Sequence, residues 1–258
     1  MKKRLISAGI ALAIFIPLII IGGIAFEIGA TLLSILAVRE LFHLIRKDSK
    51  IPTLIEIISY VLTGTIVLSS DMFLASIAVT FIFTFMPLIF IKKEQYNFDS
   101  AIKVFGSILF IGYCFYVMDN IRLSSLEEFI FILSVSFATD TFAYFGGMFF
   151  GKNKLLERIS PNKTWEGSII GTFAGVLIPT LVYIFMVNPS ESVFIVILIS
   201  VILSITAQFG DLLFSSIKRN YGIKDFSNIM PGHGGVLDRL DSLILISLVY
   251  TIIKTLFL

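Results

Sequence analysis

The densest run of polar and charged residues stretches from Gln208 to Ser242, QFGDLLFSSIKRNYGIKDFSNIMPGHGGVLDRLDS. Continued as helix, its first part puts Asp211, Ser215, Lys218 and Arg219 at i, i+4, i+7 and i+8, on one face. Asp238 and Asp241 follow at i, i+3 and point the same way, with Ser242 extending that face. Carboxylates that share a cavity repel one another unless a cation lies between them. Oxygen ligands without clustered His or Cys suit Mg²⁺, or Mn²⁺ in its place, held by one or two carboxylates, several waters and substrate phosphate oxygens. Lys218, Arg219, Lys224 and Arg239 stand close by in sequence, and a nucleoside triphosphate needs such cations beside its metal. Asp211 has a second reading, as the structural partner of Lys218.

Between these groups lies PGHGG, Pro231 to Gly235. Glycine lets backbone amides approach an anion closely, so Gly234 and Gly235 at the start of a helix form a potential anion nest. His233 is an acid, a phosphate donor or a structural cap. A second cluster, SPNKTWEGS at 160–168, enters an apolar run. Lys163 can bind phosphate there, with Ser160 and Asn162 shaping the turn; the alternative is an interfacial Trp165 beside a snorkelling lysine. Glu166 in the first helical turn suits the helix dipole under either reading. Asp140, Tyr144 and Gly147 recur at helical spacing within a third apolar run. An acid at that depth is costly, which makes Asp140 a nucleotide or metal ligand, or a partner for Arg39. Arg39, Glu40 and His43 read as an internal ion-pair set.

The elements that position these residues are membrane helices. Of the 258 residues 57% are hydrophobic and 15% charged, with a mean hydropathy of +0.96. A soluble domain is nearer 45–50% apolar and about a quarter charged. Apolar blocks of bilayer-crossing length fall at 5–25, 26–44, 51–68, 72–91, 104–118, 129–150, 168–187, 193–215 and 243–258. The fold expected is an all-α integral membrane protein of about nine transmembrane helices. The turn between the first two blocks is the weakest boundary, and their fusion would leave eight. Lys2, Lys3 and Arg4 resemble a signal n-region, but the run that follows is too long for a signal peptide and reads as a retained helix. If alternate connections face one side, 17 of the 20 Lys and Arg fall there, against Arg122 alone opposite. The positive-inside rule then makes that side, and the N-terminus, cytoplasmic. Residues 1–119 form a scaffold, and 120–258 a catalytic region with cytoplasmic loops 151–167 and 216–241. Cys114 on its own excludes a disulfide or a thiolate cage and reads as packing. A formal charge of +2, without a basic tail, excludes nucleic acid as partner.

The run from Ser215 to Asp241, SSIKRNYGIKDFSNIMPGHGGVLDRLD, resembles the signature of the CDP-diacylglycerol synthases, or phosphatidate cytidylyltransferases. The resemblance extends through SPNKTWEG at 160–167 and Asp140 to Gly147, covering the C-terminal half. Met230 departs from the usual Leu, Ile or Phe and fills the same volume. The resemblance implies transfer of the cytidylyl group of CTP to phosphatidate, giving CDP-diacylglycerol and pyrophosphate with a divalent cation. It makes Asp211 and Asp238 metal ligands, with Asp241 close behind. Lys163, Lys218, Arg219, Lys224 and Arg239 then neutralise the triphosphate and the lipid phosphate. It also implies a homodimer, and a bacterial cytoplasmic membrane is the simplest location.

Other readings fit less well. The Asp-Gly-x2-Ala-Arg motif of CDP-alcohol phosphatidyltransferases is absent. A lipid kinase conflicts with the length of the signature, whereas a related enzyme of ether lipids, such as a CDP-archaeol synthase, stays open. A transporter would place its acids near the membrane midplane on broken helices; here they crowd at helix ends.

Overall fold

The computed structural model describes the backbone of residues 2–69, 72–229, 232 and 234–257, with side chains from position 9 onward except at 10 and 257. His233, Met230, Pro231 and Asp71 lie outside the described residues. The described elements run in the order α1 (Lys2–Ile21), α2 (Gly23–Ile45), α3 (Thr53–Leu68), α4 (Phe73–Phe85), α5 (Pro87–Phe90), α6 (Phe98–Ser124), α7 (Leu126–Phe150), β1 (Lys154–Leu156), β2 (Ser160–Thr164), α8 (Trp165–Val182), α9 (Val193–Asn220) and α10 (Leu237–Phe257). A π-helical turn, Tyr183–Val187, ends α8.

Among the described residues six helical segments are long and apolar enough to cross a membrane: Gly23–Ile45, Phe73–Phe90, Phe98–Ser124, Leu126–Phe150, Trp165–Val187 and Val193–Asn220. This is a multi-pass membrane protein. Phe149, Phe173, Phe185 and Phe194 are each at least 70% exposed, and so much outward aromatic surface requires lipid around it. Thr53–Leu68 has 16 residues, about 24 Å of helix, and falls short of a full span without tilt or thinning. The first two apolar blocks do not fuse, because Gly22 and Gly23 both take positive φ and break the helix.

The chain divides into two compact units. Residues 1–120 and 225–238 make the first, and 121–224 and 239–258 the second. In the first, α2 packs on α3 and α3 on α4. Its core includes Ala37, Val38, Phe42, Ile66, Ile108 and Cys114, the last a buried thiol with a packing role. Gly112 lets α6 close on α3, since a Cβ there would meet Ile66 at 3.0 Å.

In the second unit α7 packs closely along α8. Gly167, Gly171 and Gly175 recur every four residues along α8. A Cβ at Gly167 would stand 2.6 Å from the Ala143 carbonyl oxygen, and one at Gly171 2.7 Å from the Ala143 Cβ. Small residues at this spacing bring membrane helices into backbone contact. Thr139 and Ser204 share a hydrogen bond of 2.8 Å that joins α7 to α9. Gly210 does the same for α9 and α10, where a Cβ would lie 2.7 Å from the Asp241 carbonyl oxygen. The fold is all-α as expected, and within the segment 151–167 expected as a loop a short hairpin forms, β1 and β2 pairing antiparallel between α7 and α8. Helix α9 also continues to Asn220, past the expected end at 215.

Candidate active site

The hairpin delivers Lys163 to the second unit's polar end. Lys154 pairs with Thr164 and Leu156 with Ser160, with an irregular register between. Glu166 secures its base by accepting hydrogen bonds from the Lys152 amide at 3.1 Å, the Asn153 amide at 3.2 Å and Asn153 Nδ2 at 2.7 Å. Lys154 Nζ donates to the Pro161 carbonyl at 2.6 Å. Thr164 caps α8 through its hydroxyl, which accepts from the Gly167 amide at 3.2 Å. Lys163 therefore sits one residue before a helix cap, on a strand tied at both ends.

Its ammonium lies 2.5 Å from Asp211 Oδ2. Asp211, read also as a structural partner of Lys218, thus pairs with Lys163, while the Lys218 charge acts on Asp241. Ser215 Oγ donates to Asp211 Oδ1 at 3.2 Å, as the shared helix face requires. Asp140 from α7 and Asp241 from α10 each stand near enough to Asp211, and to each other, to repel. Three acids distant in sequence thus converge from three helices, with Lys163 and Lys218 among them. The glycine contacts contribute to this, Gly210 by bringing α9 against α10 and Gly167 and Gly171 by bringing α7 against α8, whose start follows Lys163.

Beside the cluster opens a cleft of about 380 Å³. Asp140, Ala143, Tyr144, Gly147 and Met148 line it from α7, Leu155, Asn162, Lys163 and Thr164 from the hairpin, Ser168 from α8, and Gln208 and Asp211 from α9. Gln208 is held there by donating to Thr172 Oγ1 at 2.8 Å and by a short hydrogen bond from the Ser168 hydroxyl. A lining that combines carboxylates and an ammonium with Met, Leu and Tyr suits a ligand with an anionic head and an apolar body.

The other expected site residues have contacts of their own. Arg219 Nε donates to the Ile159 carbonyl at 3.1 Å and Nη1 to Ile223 at 2.8 Å, so this guanidinium ties the hairpin turn to the end of α9. Ser160 begins β2, Lys224 is exposed in the turn after α9, and Arg239 is exposed in the first turn of α10. In the first unit, Asp238 Oδ2 accepts from the amides of Phe226 at 2.8 Å and Gly235 at 2.9 Å. The Gly235 amide expected to meet an external anion is therefore satisfied by the chain's own carboxylate. Gly234 adopts φ +86°, and a Cβ there would come within 2.7 Å of Asp238 Oδ2.

Among the described residues no three His, Cys, Asp or Glu side chains are grouped so as to hold a metal ion alone. The donor chemistry still fits Mg²⁺. Asp211 and Asp241 offer hard oxygens close together, and Mg²⁺ takes one or two carboxylates and completes its shell with water and phosphate oxygens. Gln208, Ser168 and Thr172 did not stand out in the sequence as site residues. A polar amide five residues beyond the buried Leu203 was the only signal for Gln208.

Comparison with known proteins bears on this arrangement. The model of the "Cytidylyltransferase family" matches residues 2–257. The phosphatidate cytidylyltransferase of Staphylococcus haemolyticus is 34% identical over 249 residues, covering 94% of each chain. Those of Staphylococcus saprophyticus and Staphylococcus aureus strain COL are 35% and 34% identical over 250 and 253 residues, again across 94% of both chains.

Proposed function

The chain belongs to the cytidylyltransferase family, and we propose that it transfers the cytidylyl group of CTP to phosphatidate, giving CDP-diacylglycerol and pyrophosphate in phospholipid synthesis. The observation that carries this reading within the structure is the Lys163–Asp211 pair at the mouth of a half-polar, half-apolar cleft, with Asp140 and Asp241 beside it.

The reaction asks little of a general base. Phosphatidate is a phosphate monoester whose second ionisation falls near about 6, so it meets CTP already anionic. What the protein must supply is neutralisation of two anions and alignment of the lipid oxygen with the α-phosphorus. In this reading Asp211 and Asp241 hold Mg²⁺ or Mn²⁺, which when bound neutralises charge on the triphosphate. Lys163 turns from Asp211 toward the phosphates, and Lys218 balances Asp241. Asn162 and Gln208 orient polar groups of the substrates, while Tyr144 and Met148 contact the glycerol and upper acyl chains. Asp238, whose Oδ2 also accepts from the Phe226 and Gly235 amides, stays a further metal-ligand candidate. The nine-span topology, a cytoplasmic N-terminus and residence in the cell membrane belong to the same proposal, supported by the one-sided distribution of Lys and Arg. A homodimer is part of it on the strength of the resemblance.

The test is transfer of label from α-labelled CTP into a chloroform-soluble product by purified protein with phosphatidate and Mg²⁺. Labelled CDP-diacylglycerol supports the assignment, and no labelled lipid over a range of phosphatidates refutes it.

A further inference from the structure

Glu40 lies near one end of α2 and is 2% exposed. The sequence suggested an ion-pair set with Arg39 and His43, but both of those side chains are exposed, and the Glu40 carboxylate is engaged elsewhere. Its Oε1 accepts from Ser227 Oγ at 2.6 Å and from the Val236 amide at 2.9 Å, and Oε2 accepts from the Leu237 amide at 3.0 Å. All four residues belong to the first unit. Leu237 opens α10, so these amides are among the donors that a helix start leaves without intrahelical partners. A carboxylate buried this deeply persists where several hydrogen bonds to its charged form replace water.

The glycine pair of PGHGG follows from this arrangement. A Cβ on Gly235 would stand 2.6 Å from the Glu40 carboxyl carbon, overlapping it, while Gly234 is confined by Asp238 on its other side. Two carboxylates, one from α2 and one from the loop itself, hold the same short stretch of backbone.

We propose that Glu40 is a positioning residue for cytidylyl transfer, pinning Ser227 and the start of α10 at Val236 and Leu237 in the arrangement that activity requires. This deepens the functional reading above and rests on it. Glu40 touches no substrate in this account; it acts through Val236, Leu237 and the Asp238 carboxylate that follows them.

The experiment compares wild type, Glu40→Gln, Glu40→Ala and Ser227→Ala, full length and in detergent, by peptide-level hydrogen exchange, thermal melting and label transfer from CTP. Glu40→Gln keeps one acceptor oxygen and Glu40→Ala keeps none. Exchange across 226–238 should rise at least tenfold in Glu40→Ala and less in Glu40→Gln, with peptides from α8 and α9 unchanged. In the same order kcat/KM should fall about a hundredfold and about tenfold. Ser227→Ala removes one bond of three and should give a shift of a few fold in each. Unchanged exchange in the loop overturns the proposal, as does faster exchange with wild-type kcat/KM. If Glu40→Ala does not fold, the other two variants decide by the same criteria. Should wild type transfer no label, the assigned reaction fails, and the exchange results still determine whether Glu40 holds the loop.

Discussion

Replacing Lys163 by Met keeps the length and apolar stem of the side chain and removes its charge. At the 2.5 Å separation from Asp211, Coulomb's law gives between about 2 and about 7 kcal/mol as the effective dielectric runs from bulk water to that of a partly buried site. The two side chains are 26% and 29% exposed, so solvent screening holds the loss near the lower figure, about 2 kcal/mol or roughly thirtyfold. That is the loss when Asp211 alone is left facing Asp140 and Asp241. During transfer the same ammonium faces phosphate charge in a drier cleft, where removal of one preorganised donor costs about 10²–10³ in rate. Lys163→Met should therefore lower kcat/KM by at least thirtyfold and up to a thousandfold in the CTP assay. The double variant with Asp211→Asn separates the two roles. If Lys163 serves only to neutralise Asp211, the second change restores activity; if both residues act on substrate and metal, it does not. A kcat/KM for Lys163→Met within threefold of wild type would refute the reasoning.

Chelation by EDTA should abolish label transfer, with recovery on adding Mg²⁺ or Mn²⁺; full activity in EDTA removes the metal from the mechanism. Gly171→Leu should separate α7 from α8, since even a Cβ there would meet Ala143 at 2.7 Å, and lower the melting transition by an amount equivalent to about 1–3 kcal/mol. Glu166→Gln weakens the hairpin base and should speed tryptic cleavage at Lys154 and Arg158 severalfold without changing the melt of the helices. Arg219→Lys cannot reach both the Ile159 and Ile223 carbonyls, and should reduce kcat/KM by less than tenfold, against a loss near that of Lys163→Met if Arg219 bound phosphate directly.

Helices and their approximate ends were legible in the sequence because lipid exposure makes hydropathy nearly sufficient for the task. The face of α9 that carries Asp211 and Ser215 followed from helical periodicity alone. The hairpin did not show, because a strand of three residues, KLL, and a second containing proline, SPNKT, carry no useful alternation. The stripe Gly167, Gly171 and Gly175 was readable as a helix contact motif, and it accounts for how Asp140 comes near Lys163 and Asp211. Glu40 was beyond reach, since its partners lie 187 to 197 residues away and two of them are backbone amides that no side-chain pattern announces. The two bonds that Asp238 accepts were hidden as well, because both donors are backbone amides, although they lie only 12 and 3 residues away.

The tethering of the hairpin at its base has a practical consequence for mapping the protein in the cell. Glu166, Asn153 and the Thr164 cap fix the end that carries Lys163, whereas the turn at Glu157 and Arg158 is exposed and lies beyond those restraints. A short epitope inserted between these two residues leaves the Ile159 carbonyl and its bond to Arg219 in place. The tag would then sit on a tethered stalk beside the cleft that Leu155, Asn162 and Lys163 line. Antibody access to it in intact against opened cells would report which compartment the cleft faces.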